Sequence, residues 1–298
     1  MGVCSKVKNG FNKVKYFTTN LIGKIFYKTP VVKNIEESLE KIINDKCSVA
    51  RYGDGEFNLA FGNSIDFQTC NEKVKRKLRE ILVLDDENFM VCITGELYSN
   101  NIDLNPKARK YWKNFITKNR LKLATILKKN KIYYSASITR FYMNFINKDK
   151  CERYAELLKK IWHDRDVVFV EGKSSRLGVG NDFFDNAKSV RRILCPENQA
   201  FDVYDEIISA VNSNVEKGAL ILLALGPTAT VMAYDLYKEG YQVVDIGHVD
   251  IEYEWMRMKA TEKVAVKGKY VNEVEEGKIV LDISDEKYLS QIIKKVGV

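Results

Sequence analysis

The stretch Ala50-Arg51-Tyr52-Gly53-Asp54-Gly55-Glu56-Phe57 sets two carboxylates one glycine apart, directly after the strand-like run Cys47-Ser48-Val49-Ala50. Ligands of α/β proteins bind at the carboxyl ends of strands. Residues i and i+2 of an extended chain point the same way, about 6–7 Å apart at Cα. Asp54 and Glu56 could therefore share one divalent cation, or one could hold a metal while the other takes a sugar hydroxyl. Gly53 and Gly55 let the backbone bend toward a ligand. Arg51 could grip a phosphate as a fork. The bland alternative is an acidic turn with Arg51 in a local ion pair.

Three further clusters could do chemistry. Val167–Glu171 runs into Gly172-Lys173-Ser174-Ser175-Arg176, a basic turn able to meet a phosphate through Lys173 and Arg176. It lacks the upstream glycine of a P-loop, and Gly178-Val179-Gly180 lacks the third glycine of a dinucleotide fingerprint. Gly226-Pro227-Thr228-Ala229-Thr230 follows the most apolar run and opens a helix. Free amides there, with the hydroxyls of Thr228 and Thr230, make an anion or ribose pocket; a plain N-cap accounts for one threonine only. Asp245-Ile246-Gly247-His248-Val249-Asp250-Ile251-Glu252-Tyr253-Glu254-Trp255 is the densest polar stretch. A helix starting near Asp250 puts Asp250 and Glu254 on one face, with His248 and Glu252 on the next.

These clusters need a scaffold. Strand candidates are Cys47–Tyr52, Phe89–Ile93, Lys131–Ser135, Val167–Glu171, Val190–Cys195, Ala219–Leu225 and Tyr241–Ile246. Helical candidates are Ile35–Asn44, Glu72–Leu84, Pro106–Asn119, Arg120–Lys129, Cys151–Ile161, Phe201–Val215, Thr228–Glu239 and Asp285–Lys295. The alternation predicts an α/β fold: a Rossmann-like, mostly parallel sheet with helices on both faces. Val264–Asp282 reads as a small β appendage. No linker divides residues 31–298, which are expected as one domain. Residues 1–30 form a basic arm: six lysines and no acid, against a net charge of +8 for all 298 residues. The nearly neutral remainder does not imply a nucleic-acid-coating surface. The arm also carries aromatic and aliphatic residues and could touch an anionic membrane, or pack on the body as an amphipathic helix. No secretory or membrane-spanning segment is visible, so a cytoplasmic location is expected, peripheral at the inner membrane face if the arm binds lipid. The six cysteines form no CxxC pair; Cys47, Cys92 and Cys195 read as buried thiols.

Taken in order, these motifs resemble a bacterial glycosyltransferase family of the GT-D type, first catalogued as a domain of unknown function. The resemblance runs from about Glu37 to Ile293. It is carried by Ala50–Phe57, Ile65-Asp66-Phe67-Gln68, Leu225–Thr230, Tyr234-Asp235-Leu236, Asp245–Trp255 and Gly268-Lys269-Tyr270-Val271-Asn272-Glu273-Val274. Tyr52 stands where Phe is expected. The family's Asp-x-Glu motif, which engages a nucleotide sugar and its divalent metal, falls on Asp54 and Glu56. The resemblance implies transfer from a UDP-sugar, with Mn²⁺ or Mg²⁺, onto a glycan or glycoprotein acceptor in surface-glycan synthesis. The expected donor site is Arg51, Gly53, Asp54, Glu56, Lys173, Arg176, Gly226, Thr228 and Thr230. An inverting reaction needs a base, and Asp250, Glu252, Glu254 and His248 are the candidates; Glu254 is preferred because Trp255 beside it would desolvate it. A non-catalytic nucleotide- or glycan-binding module is the alternative. An epimerase or reductase would need the missing dinucleotide fingerprint. A homo-oligomer is allowed.

Overall fold

Seven apolar runs separated by helical stretches become seven parallel strands, and two short strands extend them at the edges. The computed structural model describes Tyr16, Thr18, residues 20–23, 29–98 and 103–298. Its strands are β1 (Val31–Val32), β2 (Ser48–Tyr52), β3 (Phe89–Ile93), β4 (Ile132–Ser135), β5 (Asp166–Gly172), β6 (Ser189–Cys195), β7 (Leu220–Ala224), β8 (Gln242–Asp245) and β9 (Ile292–Lys295). They form one sheet in the order β1-β4-β3-β2-β8-β7-β5-β6-β9, and every pairing is parallel. The helices are α1 (Ile35–Asp45), α2 (Asp54–Ala60), α3 (Glu72–Leu82), α4 (Pro106–Ile126), α5 (Cys151–Trp162), α6 (Tyr204–Asn214), α7 (Pro227–Lys238), α8 (Val249–Arg257) and α9 (Glu286–Ser290).

Strand residues alternate between two cores. Ala50, Ile221 and Leu223 join the layer made by α2, α3, α4, α6 and α7. Val49, Leu220 and Leu222 join the layer made by α1, α5, α8 and Phe183-Phe184. Burial on both faces explains why these strands read as unbroken apolar runs. Cys47, Cys92 and Cys195 are buried free thiols, as expected.

The chain leaves the neighbouring strands β2 and β8 in opposite senses, toward β3 and toward β9. On one side lie β3, β4 and β1; on the other lie β8 and β7. The carboxyl ends of β2 and β8 thus flank a topological switch point, where an open α/β sheet receives ligands.

The structure differs from expectation at five places, the first being the edge strand β1, which was not anticipated. The two helices anticipated between Pro106 and Lys129 are one, since Arg120 has no helix-breaking chemistry and Asn105 supplies a side-chain N-cap to Ala108. Helix α2 was not anticipated; it begins at Asp54 itself. Val264–Asp282 holds no strand, only the 3₁₀ turn Glu275–Lys278. Asp285–Lys295, expected as one helix, is instead the short α9 followed by β9, which pairs with β6 and completes the sheet edge. Most of residues 1–30 lie outside the described residues.

Candidate active site

Two carboxylates crown β2. Gly53 is the N-cap of α2, and its amide donates to Glu56 Oε2 at 2.7 Å. Asp54 and Glu56 therefore occupy the first helical turn, where the dipole favours negative charge. Asp54 Oδ2 accepts from the hydroxyl of Tyr111 on α4. Each carboxylate keeps its second oxygen outside these bonds. Glu56 is half-buried, and its pKa rises to about 7, first through desolvation and then through the charge of Asp245, against hydrogen bonds and Arg51.

Arg51 points across to β8. Its Nε donates to the Asp245 carbonyl at 2.8 Å and its Nη2 to Asp245 Oδ1 at 2.8 Å. Burial holds the Asp245 carboxyl above its ordinary range even so, outweighing Arg51. The local ion pair offered above as the bland alternative is thus formed. It clamps β2 to β8, and Gly247 makes room for it: φ there is +43°, and a Cβ would sit 2.0 Å from Arg51 Nη2. Thr230 on α7 completes the clamp, donating to the Arg51 carbonyl at 2.9 Å. Thr228 Oγ1 donates to Gln68 Oε1 at 3.4 Å. Both threonines are buried, so their hydroxyls serve the fold and only the backbone amides of the helix start remain for a ligand. Gly226 takes φ +54°, and a Cβ would meet the Phe67 ring at 3.2 Å.

The basic turn after β5 divides. Lys173 is exposed. Arg176 is buried and donates to the carbonyls of Gly268 at 2.9 Å and Leu281 at 2.6 Å. It fastens the C-terminal segment instead of meeting a phosphate, as does the Tyr270 amide, which bonds the Ser174 carbonyl at 2.9 Å.

Helix α8 begins after His248, as anticipated, and its two acidic stripes part company. Asp250 and Glu254 share a face, but that face is filled. Asn181 Nδ2 donates to both at 2.8 and 2.6 Å, and Lys269 Nζ lies 2.5 Å from Asp250 and 3.3 Å from Glu254. All three charged groups are buried, and both carboxylates are engaged by these internal partners. Trp255 points elsewhere; its Nε1 donates to the Val264 carbonyl at 2.9 Å. Glu252 is also committed: Oε2 accepts from the amides of Tyr142 and Met143 at 2.9 and 2.8 Å. It fixes the chain after β4 from the far side of the site.

That chain carries Arg140, which the sequence reading did not single out. Arg140 Nη1 bonds Glu273 Oε1 at 2.7 Å and lies 3.8 Å from Glu252 Oε1. Burial disfavours its charge, but Glu273, Glu252 and Asp54 together raise its pKa, so Asp54 and Arg140 share one field. Glu273 is driven well below the usual carboxylate range: burial opposes this, and Arg140, His248 and Lys263 overcome it. His248 Nδ1 lies 3.3 Å from Glu273 Oε2 without hydrogen-bond geometry, and among the described residues this buried nitrogen has no hydrogen-bond partner. Its pKa falls to about 4, first through burial, then through Arg140. The imidazole is neutral at physiological pH.

The site thus gathers Asp54, Glu56, Tyr111, Arg140, His248 and Glu273 around the β2–β8 crevice. Tyr111 and Arg140 stood in stretches without a motif. Glu273 lay within a resembling segment, but its main partner, Arg140, comes from a distant stretch of the chain, while His248 and Lys263 lie nearer in sequence. Among the described residues no three His, Cys, Asp or Glu side chains form a ready-made metal cage. Asp54 and Glu56 lie in a helical turn and not on an extended segment, so the side-by-side alignment expected from their spacing does not hold. Each still keeps an oxygen outside its internal hydrogen bond, and carboxylate oxygens suit a hard divalent cation that takes its remaining ligands from phosphates and water.

The Glycosyltransferase GT-D fold family model matches residues 49–274. A solved domain described as "the highly conserved domain of unknown function 1792", with "a distinct glycosyltransferase fold", superposes at a TM-score of 0.85 and 40% identity, covering 90% of this chain and 96% of that one. "A New Glycosyltransferase (DUF1792) from Streptococcus sanguinis" matches at 0.85 and 36%, covering 90% and 99%. The Glycosyltransferase GlyD of Streptococcus pneumoniae serotype 4 (strain ATCC BAA-334 / TIGR4) is 37% identical over 268 residues, 89% of this chain and 32% of GlyD. The probable glycosyl transferase Gly of Streptococcus gordonii is 35% identical over 269 residues, 89% of this chain and 39% of that protein. The chain therefore spans only 32% and 39% of the length of GlyD and Gly. It belongs to the GT-D family of glycosyltransferases.

Proposed function

We propose that this chain transfers a sugar from a UDP-sugar to a glycan or glycoprotein acceptor, with Mn²⁺ or Mg²⁺ at Asp54 and Glu56. The observation that carries this is the Asp54–Glu56 pair at the switch point, with Arg140 in the same field. Departure of a nucleoside diphosphate builds negative charge on its oxygens in the transition state, and preorganised positive groups lower that barrier. A bound divalent cation would neutralise part of this charge. Arg140 neutralises more; Glu273 and Glu252 hold its guanidinium from behind, so little reorganisation is needed as charge develops. Tyr111 orients Asp54. Amides at the start of α7 and the exposed Lys173 are the remaining donors on the donor side.

In this reading Asp250, Glu252 and Glu254 are supports, since each is engaged by internal partners. Of the four base candidates, His248 alone is a neutral acceptor with a free nitrogen, and it takes the acceptor proton if the reaction inverts. The test is release of UDP from a panel of UDP-sugars, with Mn²⁺ and with chelator. Metal-dependent release lost in both Asp54→Asn and Glu56→Gln, with melting retained, supports the assignment. Nucleotide binding without turnover, in the presence of metal and acceptor glycans, would favour a non-catalytic binding module.

A further inference from the structure

Helix α4 carries Lys107, Arg109, Lys110, Lys113, Lys118, Arg120 and Lys122 and no acid along its 21 residues. With the six lysines of residues 1–30, these exceed the net charge of +8, so the rest of the chain is net negative. In sequence, the basic charge is concentrated in residues 1–30 and on this helix. Lys107, Lys110, Lys118 and Lys122 fall on a single helical stripe and are all exposed. Among the described residues none of these four ammonium groups is paired with an acid; Lys122 only caps the Phe61 ring, 5.3 Å from its centre. Along one flank of the stripe lies the described part of the arm. Asn20 Oδ1 accepts from Arg120 Nε at 2.5 Å, and Gly23 approaches so closely that a Cβ would fall 2.6 Å from Arg120 Cδ. Leu21 and Ile22 on that segment are 50% and 43% exposed.

We propose that this face is a docking surface for an anionic lipid bilayer. The stripe is lysine, a hydrated point charge suited to a diffuse headgroup layer, and not arginine, whose fork suits fixed phosphates or carboxylates. Paired aliphatic side chains at its flank gain from entering the acyl boundary and gain nothing from a soluble polyanion. Tyr111 lies on the same stripe and bonds Asp54, so docking brings the Asp54 end of the crevice to the plane of the membrane. The proposal does not depend on the identity of the donor.

The experiment is co-sedimentation of the full chain with vesicles of phosphatidylglycerol and phosphatidylcholine, and of phosphatidylcholine alone. The protein should bind only the anionic vesicles and leave them at high salt. The combined variant Lys107→Glu, Lys110→Glu, Lys118→Glu and Lys122→Glu should lose more than roughly 100-fold in vesicle affinity, with unchanged melting temperature and circular dichroism. Leu21→Ser with Ile22→Ser should lose several-fold and keep the salt dependence. Three results would overturn the proposal: no binding of the wild type to anionic vesicles, equal binding by the four-lysine variant, or tighter binding to heparin or an oligonucleotide than to the vesicles. The last would assign the stripe to a soluble polyanion. A deletion of residues 1–15 that abolishes all vesicle binding would move the surface from α4 to the arm.

Discussion

Replacing Glu56 by Gln should make the metal-free protein more stable at pH 8 while ending its turnover. Folding moves the Glu56 pKa from 4.5 to about 7. Between those values the unfolded chain gives up its proton while the folded chain keeps it, so stability falls as pH rises through this window and stays low above it. Full transfer of the shift into stability would be about 3 kcal/mol. Glu56 keeps some contact with water, which reduces the penalty to roughly 1–2 kcal/mol. Glutamine preserves the acceptor for the Gly53 amide and removes the charge. His248 works in the opposite sense: its folded pKa of about 4 means that stability is lost as pH falls from about 6.5 toward 4. The two trends oppose each other in the wild type, so its own pH profile conceals both. The difference between Glu56→Gln and wild type isolates one of them. Chelator-treated melts at pH 5 and pH 8 should show near-equal stability at the lower pH and a variant Tm higher by about 2–4 °C at the upper. Added Mn²⁺ should raise the wild-type Tm and leave the variant unchanged. A variant less stable than wild type at pH 8, or a difference independent of pH, would refute the idea that the fold holds this carboxylate at a cost.

Other substitutions separate the site from its supports. Arg140→Gln should lower kcat for metal-dependent UDP release by roughly 10²–10³-fold, as expected when a donor to developing charge is lost, with less effect on KM; steady-state kinetics decides. Gly247→Ala must displace the Arg51 guanidinium and should cost about 2–4 kcal/mol in urea melts; a neutral result would mean the β2–β8 clamp is soft. Lys269→Met leaves Asp250 and Glu254 buried without their cation and should cost about 3–5 kcal/mol, whereas Lys269→Met with Asp250→Asn and Glu254→Gln should recover most of it. Glu254→Gln alone should change Tm more than turnover; loss of turnover with Tm preserved would return this residue to the role of base.

The fold was legible because its signal is local. Runs such as Leu220-Ile221-Leu222-Leu223 are apolar at every position, which only strands buried on both faces require, and alternation with helices fixes the parallel class. The two edge strands carry no such pattern: Val31-Val32 is too short, and Ile292-Ile293-Lys294-Lys295 is half charged and continues a helical period. The candidate site was legible only in part. Asp54 and Glu56 announce themselves by spacing. Which face of α8 meets the crevice depends on Lys269 and Asn181, and no local pattern couples those residues to Asp250. Arg51 looked like a ligand because it sits at a strand end, and Thr230 because it opens a helix; tertiary contact commits both to the clamp.

The concentration of acid on α8 therefore has a different physical meaning from the one its density suggests. A helix that needed one base would not bury three carboxylates, each at a desolvation cost. It would bury them to hold other segments. The Asp250–Glu254 stripe binds Lys269, and the C-terminal segment then runs four residues onward to Glu273. Glu273 meets Arg140, and Glu252 on the neighbouring stripe anchors the loop just beyond Arg140 through two amides. Both stripes thus converge on the position of one guanidinium, in the electrostatic field of Asp54. In the proposed reaction, departure of a diphosphate would be helped by charges that do not move when charge appears. A helix with two rigidly paired acidic stripes supplies that fixity, from residues that need never touch the substrate.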